Sequence, residues 1–234
     1  KEIAHRYVLG MYELHERLLK RYPKLLIEGC SGGGGRFDAG MLYYVPQIWT
    51  SDDTDAIERL KIQYGTSMLY PCSTMGAHVS DCPNHQTGRT NPFPTRGIVA
   101  LSGTFGYELD LNKMTEEERS FIREQVAAYH KYNRLVTGGD FHRITDPFDP
   151  ATVVVIWEHA ARDRSEALVT MVQPRNIPNG PVFRCRLRGL DPAAVYELEQ
   201  TGERFTGEML MQAGFHVPRF DRDGGAALYH FRRS

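Results

Sequence analysis

No stretch of about 18 consecutive apolar residues occurs in this sequence, so nothing in it reads as a membrane-crossing helix. Neither sign of charge dominates: 28 Lys and Arg stand against 29 Asp and Glu, a net charge of −1. The basic residues are scattered. The stripe that displaces counterions from a nucleic acid is missing, as is the polybasic cluster that holds a protein to an anionic membrane. Cysteine is scarce, with only Cys30, Cys72, Cys82 and Cys185. Their wide spacings contain no Cys-x-x-Cys pair, which argues against a zinc site. Four are too few for a disulfide scaffold, and a reducing, cytoplasmic setting is expected. No apolar core follows Lys1-Glu2-Ile3-Ala4-His5, so the start is not a signal peptide. The chain lacks an initiator Met and opens inside a helical pattern, and is expected to be a piece of a longer protein. His-Glu-x-x-His and Gly-x-Ser-x-Gly are absent, and no Gly-Lys-Ser/Thr follows the glycine run. These absences discount a zinc protease, a serine triad and a phosphate loop. Neither a metal nor a cofactor is expected.

What remains is the balance of a globular protein, 41% hydrophobic and 24% charged. Residues 3–21 predict an amphipathic helix, with Ile3, Tyr7, Met11, Leu14 and Leu18 at helical spacing and Pro23 as the stop. Leu25 to Cys30 reads as a short buried strand leading into Gly32–Gly35. Ile48 to Asp52 reads as a second strand, with Thr54 or Asp55 capping a helix over Ala56–Tyr64. Met75 to Ser80 is a third strand. A long polar loop covers 81–95, of a length usually functional or disordered. A helix near 95–104 and a strand from Phe105 to Leu111 follow. Thr115-Glu116-Glu117-Glu118 is a capping box that opens a long helix.

Near residue 145 the pattern changes, with Pro147 and Pro150 marking a linker. Beyond it short strands are predicted at Val153–Glu158, Ala167–Gln173, Val182–Leu187, Ala194–Gln200 and Leu228–Arg233. Asn179-Gly180 and Asp223-Gly224-Gly225 supply turns between some of them. The chain is therefore expected to divide into an α/β portion, residues 1–145, and an all-β portion, residues 146–234. Four strand-and-helix units make half of an eight-stranded β/α barrel, an open-edged object and a poor domain by itself.

Chemistry in such barrels sits at the C-terminal ends of strands. Two strands here end in polar clusters, Cys30-Ser31-Gly32-Gly33-Gly34-Gly35-Arg36-Phe37-Asp38 and Trp49-Thr50-Ser51-Asp52-Asp53-Thr54-Asp55. The glycines could be an ordinary turn, or could let a ligand approach bare backbone. Three aspartates in four residues could be helix-capping charge. A carboxyl group at a strand end beside an aromatic also suits a glycoside hydrolase, which places two carboxyl groups about the scissile bond. Trp49 could face a sugar or belong to the core. His78 is either a satisfied structural histidine or a functional one, and His85 and Arg89 lie undecided in the long loop.

The two clusters, in this order and spacing, resemble the family 36 α-galactosidases. So do Met41-Leu42-Tyr43-Tyr44, Met75-Gly76-Ala77-His78-Val79-Ser80, Pro83-Asn84-His85-Gln86-Thr87-Gly88-Arg89 and Gly103 to Asp110. The resemblance covers nearly all of residues 5–145 and, more loosely, the β-rich remainder. It implies a fold of α/β plus all-β class: the last four strand–helix units of a (β/α)8 barrel, followed by an antiparallel β-sandwich. It implies hydrolysis, with retention, of terminal α-galactosyl residues of melibiose, raffinose and stachyose. Asp52 matches the family's general acid/base. Cys30, Gly32 and Gly33 match its galactose-contacting loop, Trp49 an aromatic beside the acid, and Asp53 and Asp55 its structural partners, with Trp49 and Asp53 counted among the expected substrate-binding residues. The family's nucleophile, an Asp in a Lys-x-Asp segment of an earlier strand, has no counterpart here, so the isolated chain is expected not to turn over. A homotetramer is implied by the same resemblance. A raffinose-synthase-like galactosyl transferase and a non-catalytic carbohydrate-binding remnant are the competing readings.

Overall fold

The computed structural model describes every residue except Lys1, Pro181, Phe183 and Pro218. Helix α1 (Glu2–Arg21) forms where the periodicity places it. Four strand–helix units follow: β1 (Glu28–Gly29) with α2 (Ala39–Tyr44), β2 (Gln47–Trp49) with α3 (Ala56–Ser67), β3 (Met75–Ser80) with α4 (Phe93–Ala100), and β4 (Thr104–Glu108) with α5 (Glu116–Gly138). The four strands lie side by side in chain order and pair in parallel. That order, with a helix after each strand, is part of a (β/α)8 barrel. Asp55, rather than Thr54, caps α3, and the Thr115–Glu118 capping box is formed in both directions. Among the described residues no helix is long and apolar enough to cross a membrane.

Several boundaries differ from the sequence expectation. Of the strand expected over Leu25–Cys30, only Glu28 and Gly29 pair, and Leu26 is 86% exposed. β1 is the edge of its sheet and has a partner on one side alone. The loop after β3 ends at Pro92, which caps α4 earlier than expected. Of the strand expected over Val182–Leu187, Arg184–Cys185 pairs, while Phe183 lies outside the described residues.

Alternation along β3 separates the two faces of the parallel sheet. Ala77 and Val79 pack with Phe93 and Ala100 of α4. Gly76 and His78 therefore take the opposite face, the inside of the barrel, where the ring of His78 lies on that of Trp49.

The β-rich portion begins at β5 (Asp140–Arg143), a few residues ahead of the change of pattern near 145. It continues with β6 (Val155–Ala160), β7 (Glu166–Gln173), β8 (Arg184–Cys185), β9 (Val195–Leu198), β10 (Arg204–Thr206), α6 (Gly207–Gln212), β11 (Phe215–His216) and β12 (Gly225–Arg233). Six of these strands form an antiparallel sheet in the order β10-β9-β12-β7-β6-β5, and β11 pairs with β8. Ile156, Val169, Met171, Tyr196 and Phe231 of the large sheet close a core with Cys185 and Phe215 of the small one and with Leu187 just after β8. This is a β-sandwich.

The other face of the six-stranded sheet meets the barrel helices, with Val155, Trp157 and Val172 against Ala56, Leu60 and Val99. Trp157 Nε1 donates to Ser102 Oγ at 2.6 Å, and Arg143 Nη1 to the Ser67 carbonyl at 2.9 Å. At the α5 side, buried His230 places Nε2 2.7 Å from Glu166 and Nδ1 2.5 Å from Glu199, which Lys131 of α5 also reaches. β6 and β7 are thus covered on both faces, which explains why every residue of β6, and of β7 beyond Glu166, is buried. Two ionisable groups are buried within them. Glu158 accepts the Arg188 amide at 2.7 Å, and burial pushes its carboxyl up to about 8. His159 has no partner on either ring nitrogen among the described residues, and burial pulls its imidazole down to about 3.

Candidate active site

The chain leaves β1 into a turn of unusual hand. Ser31, Gly32, Gly33 and Gly34 take φ of 68°, 66°, 70° and 91°. The Gly34 amide bonds the Cys30 carbonyl at 3.1 Å, and the Gly35 amide the Ser31 carbonyl at 3.3 Å. An L side chain costs roughly 1–2 kcal/mol per residue in this conformation, and glycine avoids that cost. The glycines also permit contact. A Cβ on Gly33 would lie 3.0 Å from the Asp52 nitrogen, and one on Gly34 3.2 Å from the Trp49 carbonyl oxygen. The turn therefore lies backbone to backbone on the segment that carries Asp52. Gly32 differs, because a Cβ there would face open space.

That second segment runs from the end of β2 to α3 through three short side-chain-to-amide bonds. Ser51 Oγ accepts from the Asp53 amide at 3.1 Å, Asp53 Oδ1 from the Asp55 amide at 3.0 Å, and Asp55 Oδ1 from the Ile57 amide at 2.8 Å. The three aspartates thus divide. Asp53 and Asp55 are the structural, capping charges. Asp52 is exposed, and among the described residues nothing bonds its carboxyl group.

Asp55 is 1% exposed and receives Thr87 Oγ1 at 2.5 Å and Asn91 Nδ2 at 3.1 Å, with Arg89 Nη1 2.8 Å away. Burial works to raise its carboxyl pKa, but the Thr87 hydroxyl, the Ile57 amide and Arg89 outweigh it and hold the group below the ordinary range. Arg89 also bonds Glu58 at 3.1 Å. Asp55 thus ties the long 81–92 loop to the Asp52 segment, beside a second tie from Asn84 Nδ2 to Thr54 Oγ1 at 3.0 Å. The loop's Arg89 is bound to the protein itself, and His85 is exposed.

Beneath Asp52 the barrel interior is aromatic and charged. Trp49 is only 8% exposed, its ring 4.5 Å from that of His78 and 5.2 Å from the Arg59 guanidinium carbon. It braces the strand end, and little of the indole is open. His78 Nδ1 lies 3.6 Å from Glu108 Oε2, and Gly106 leaves room for the imidazole, since a Cβ there would meet it at 2.8 Å. Cys30 is a free, exposed thiol. It lines a groove with Met11, His15 and Arg36 that does not reach Asp52. Cys30 and Asp52 still share one edge of the sheet, each just past the C-terminal end of adjacent parallel strands. Among the described residues no group of three or more His, Cys, Asp or Glu could hold a metal ion.

Arg59 escaped the sequence reading. Its signal was present: it lies on the buried face of α3 with Ala56, Leu60 and Gln63, a charged residue at a core position.

Residues 1–139 match the family model described as Melibiase, and residues 154–231 the model of the glycosyl hydrolase family 36 C-terminal domain. The chain belongs to glycosyl hydrolase family 36. It is 51% identical over 229 residues to the bifunctional alpha-galactosidase/sucrose kinase AgaSK of Mediterraneibacter gnavus, covering 98% of this chain and 24% of that protein. It is 52% identical over 218 residues to alpha-galactosidase AgaA of Geobacillus stearothermophilus, covering 93% of this chain and 30% of that one. The crystal structure of an AgaA variant in complex with raffinose superposes with a TM-score of 0.95 at 48% identity, over 99% of this chain and 32% of that chain. This family 36 chain therefore spans about a quarter to a third of the length of the curated relatives it matches.

Proposed function

We propose that this chain carries the acid/base side of a retaining α-galactosidase site, with Asp52 as the proton donor. One observation carries the reading. Of three neighbouring aspartates, Asp52 is the exposed one, and among the described residues nothing bonds its carboxyl group, while its backbone is packed against the glycine turn at the C-terminal end of the barrel sheet. In the first step the Asp52 carboxylic acid gives its proton to the glycosidic oxygen as the bond from that oxygen to C1 breaks. A second carboxylate bonds C1 and forms the glycosyl intermediate. In the second step the Asp52 carboxylate takes a proton from water as the water oxygen displaces that carboxylate. The second carboxylate belongs to a segment that these 234 residues do not contain, so the isolated chain binds without turning over. Cys30, Gly32 and Gly33 contact the galactosyl group; Gly32, with open space above it, is the best placed. Trp49 and Asp53 support the acid from below.

The substrates are terminal α-galactosides of the raffinose and stachyose kind, the sugars bound in structures of AgaA. Assembly as a homotetramer in a reducing cytoplasm completes the proposal, and four free cysteines accord with that compartment.

The test is the natural-length polypeptide containing this chain, assayed on raffinose and 4-nitrophenyl α-galactoside beside Asp52→Ala. A fall in rate of about 10²–10⁴ is expected in the variant on raffinose, and a smaller fall on 4-nitrophenyl α-galactoside, whose leaving group needs the proton less. An Asp52→Ala protein that keeps the parent rate on raffinose overturns the assignment. A dominant galactosyl-transfer product in the presence of sucrose replaces hydrolase by transferase.

A further inference from the structure

We propose that Arg59 is a positioning residue for Asp52, setting the direction in which the acid points. The inference rests on the proposed function above. Arg59 is 2% exposed, one turn into α3. Its guanidinium is spent entirely on fixing neighbours. Nη1 donates to the Ser51 carbonyl at 3.4 Å, Nη2 to the Gly76 carbonyl of β3, and Nε to Gln63 Oε1 at 3.3 Å. Gln63 is fixed in turn, its Nε2 donating to the Val99 carbonyl of α4 at 3.1 Å.

The Ser51 carbonyl is the decisive contact. It belongs to the peptide unit whose nitrogen is that of Asp52. That nitrogen sits against Gly33, so close that a Cβ there would lie 3.0 Å away. One peptide plane is thus held at its oxygen by Arg59 and covered at its nitrogen by the glycine turn. The Asp52 Cα, attached to that plane, has its orientation set from both sides, although among the described residues nothing bonds its own carboxyl group.

The choice of arginine is itself informative. Burying a cation opposes folding unless it is well paired, and an apolar residue of similar size would serve packing as well or better. A planar fork holds three separated acceptors in fixed directions, whereas an ammonium gathers its donors at a single point. Burial pulls the Arg59 guanidinium down to about 10, and the Asp53 and Glu108 carboxylates act against that fall, so it keeps its charge at neutral pH. A local rule is broken here, at the back of the candidate acid, where function is the compensating gain.

A mispositioned acid has a kinetic signature that general damage lacks. Departure of a sugar alkoxide needs the proton, whereas departure of 4-nitrophenolate needs it far less. In the natural-length polypeptide, Arg59→Lys keeps the charge but loses the fork, and Arg59→Met loses both. For Arg59→Lys, kcat/KM on raffinose is expected to fall about 10- to 100-fold. On 4-nitrophenyl α-galactoside the fall is expected to stay under about threefold, with inhibition by free galactose unchanged. Thermal unfolding identifies a variant that fails to fold; should Arg59→Met do so, the substrate ratio of Arg59→Lys decides. Equal losses on both substrates, or full raffinose activity in Arg59→Lys, overturn the inference. A parent protein inactive on both substrates, by contrast, removes the proposed function itself.

Discussion

The barrel portion and the sandwich portion of this chain differ in how far each satisfies itself. The sandwich closes its own core between two sheets, and Tyr196, Phe231, Ala167 and Val169 reach 0% exposure there. The barrel portion leaves much uncovered. α1 has no buried residue, Ile3, Leu9 and Leu14 are 86%, 50% and 50% exposed, and β1 has an open edge. Yet the barrel portion carries the free carboxyl group, and the sandwich carries none of the candidate site residues. Solidity and chemistry sit in different places, joined by a sheet that belongs to both. The lesson is that the sandwich acts as a wall against which α3 and α4 are set, and α3 in turn carries Arg59 and is capped by Asp55.

The shared wall is where the two portions are most strongly coupled. Trp157 is 6% exposed and holds Ser102 across the junction. Trp157→Ala is expected to cost about 3–5 kcal/mol in urea unfolding followed by circular dichroism. A loss under about 1 kcal/mol would show that the two portions are independent. Next comes the turn: Gly33→Ala places a Cβ against Asp52 at φ +70°. About 1–2 kcal/mol of stability is expected to go, together with a larger proportional loss of raffinose hydrolysis in the natural-length polypeptide. A variant with parent activity would show that the turn does not locate the acid.

The third prediction sharpens the contrast through pH. The Glu158 carboxyl is raised to about 8 when folded, against roughly 4.3 when unfolded. Between those values the folded chain holds a proton that the unfolded chain has released, so stability falls as pH rises and levels off above about 8. Buried His159, lowered to about 3 when folded, acts oppositely, adding stability as pH rises toward its unfolded value near 6.5. The two oppose one another around pH 5–6, and the Glu158 slope stands alone above about 6.5. Glu158→Gln is expected to flatten the decline between pH 6.5 and 8 in thermal unfolding; an unchanged slope refutes the assignment. Asp55, lowered in the barrel portion, contributes stability that is lost only as pH drops below the ordinary carboxylate range. The smallest effect belongs to the surface of α1: Leu14→Lys is expected to shift the stability of this chain by less than about 0.5 kcal/mol. A much larger cost would mean that α1 is covered in solution.

Much of this was legible in the residues where local rules act alone. Periodicity found α1, the capping box found α5, and alternating or continuous apolar runs found β3, β6 and β7. The missed elements depend on distant partners. α2 is six residues long, too short to show a period, and its cap Asp38 is shared with the Tyr12 hydroxyl at 2.6 Å, 26 residues away. β5 was hidden because Phe141 and His142 show no run of their own and find their register only against β6. α6 is equally short, with Thr206 as its cap, and β10 and β11 on either side of it are likewise too brief to announce themselves. At the site, the residue types marked the cluster of Asp52, Asp53 and Asp55, and the resemblance to family 36 α-galactosidases pointed to Asp52 within it. The residue types alone could not divide the three aspartates, because that division rests on backbone turns.

The glycine turn, finally, bears on how this protein can vary. At every glycine codon, each base change that alters the residue adds at least a Cβ, and at Gly33 and Gly34 that atom would press on backbone at 3.0 and 3.2 Å from a positive-φ position. Surface position ordinarily signals freedom to mutate. Here a half-exposed loop is surrounded in sequence space by sequences that reproduce its shape only under strain. A random library would therefore record a barren stretch at the edge of the molecule, and a ranking of positions by accessibility would misjudge it.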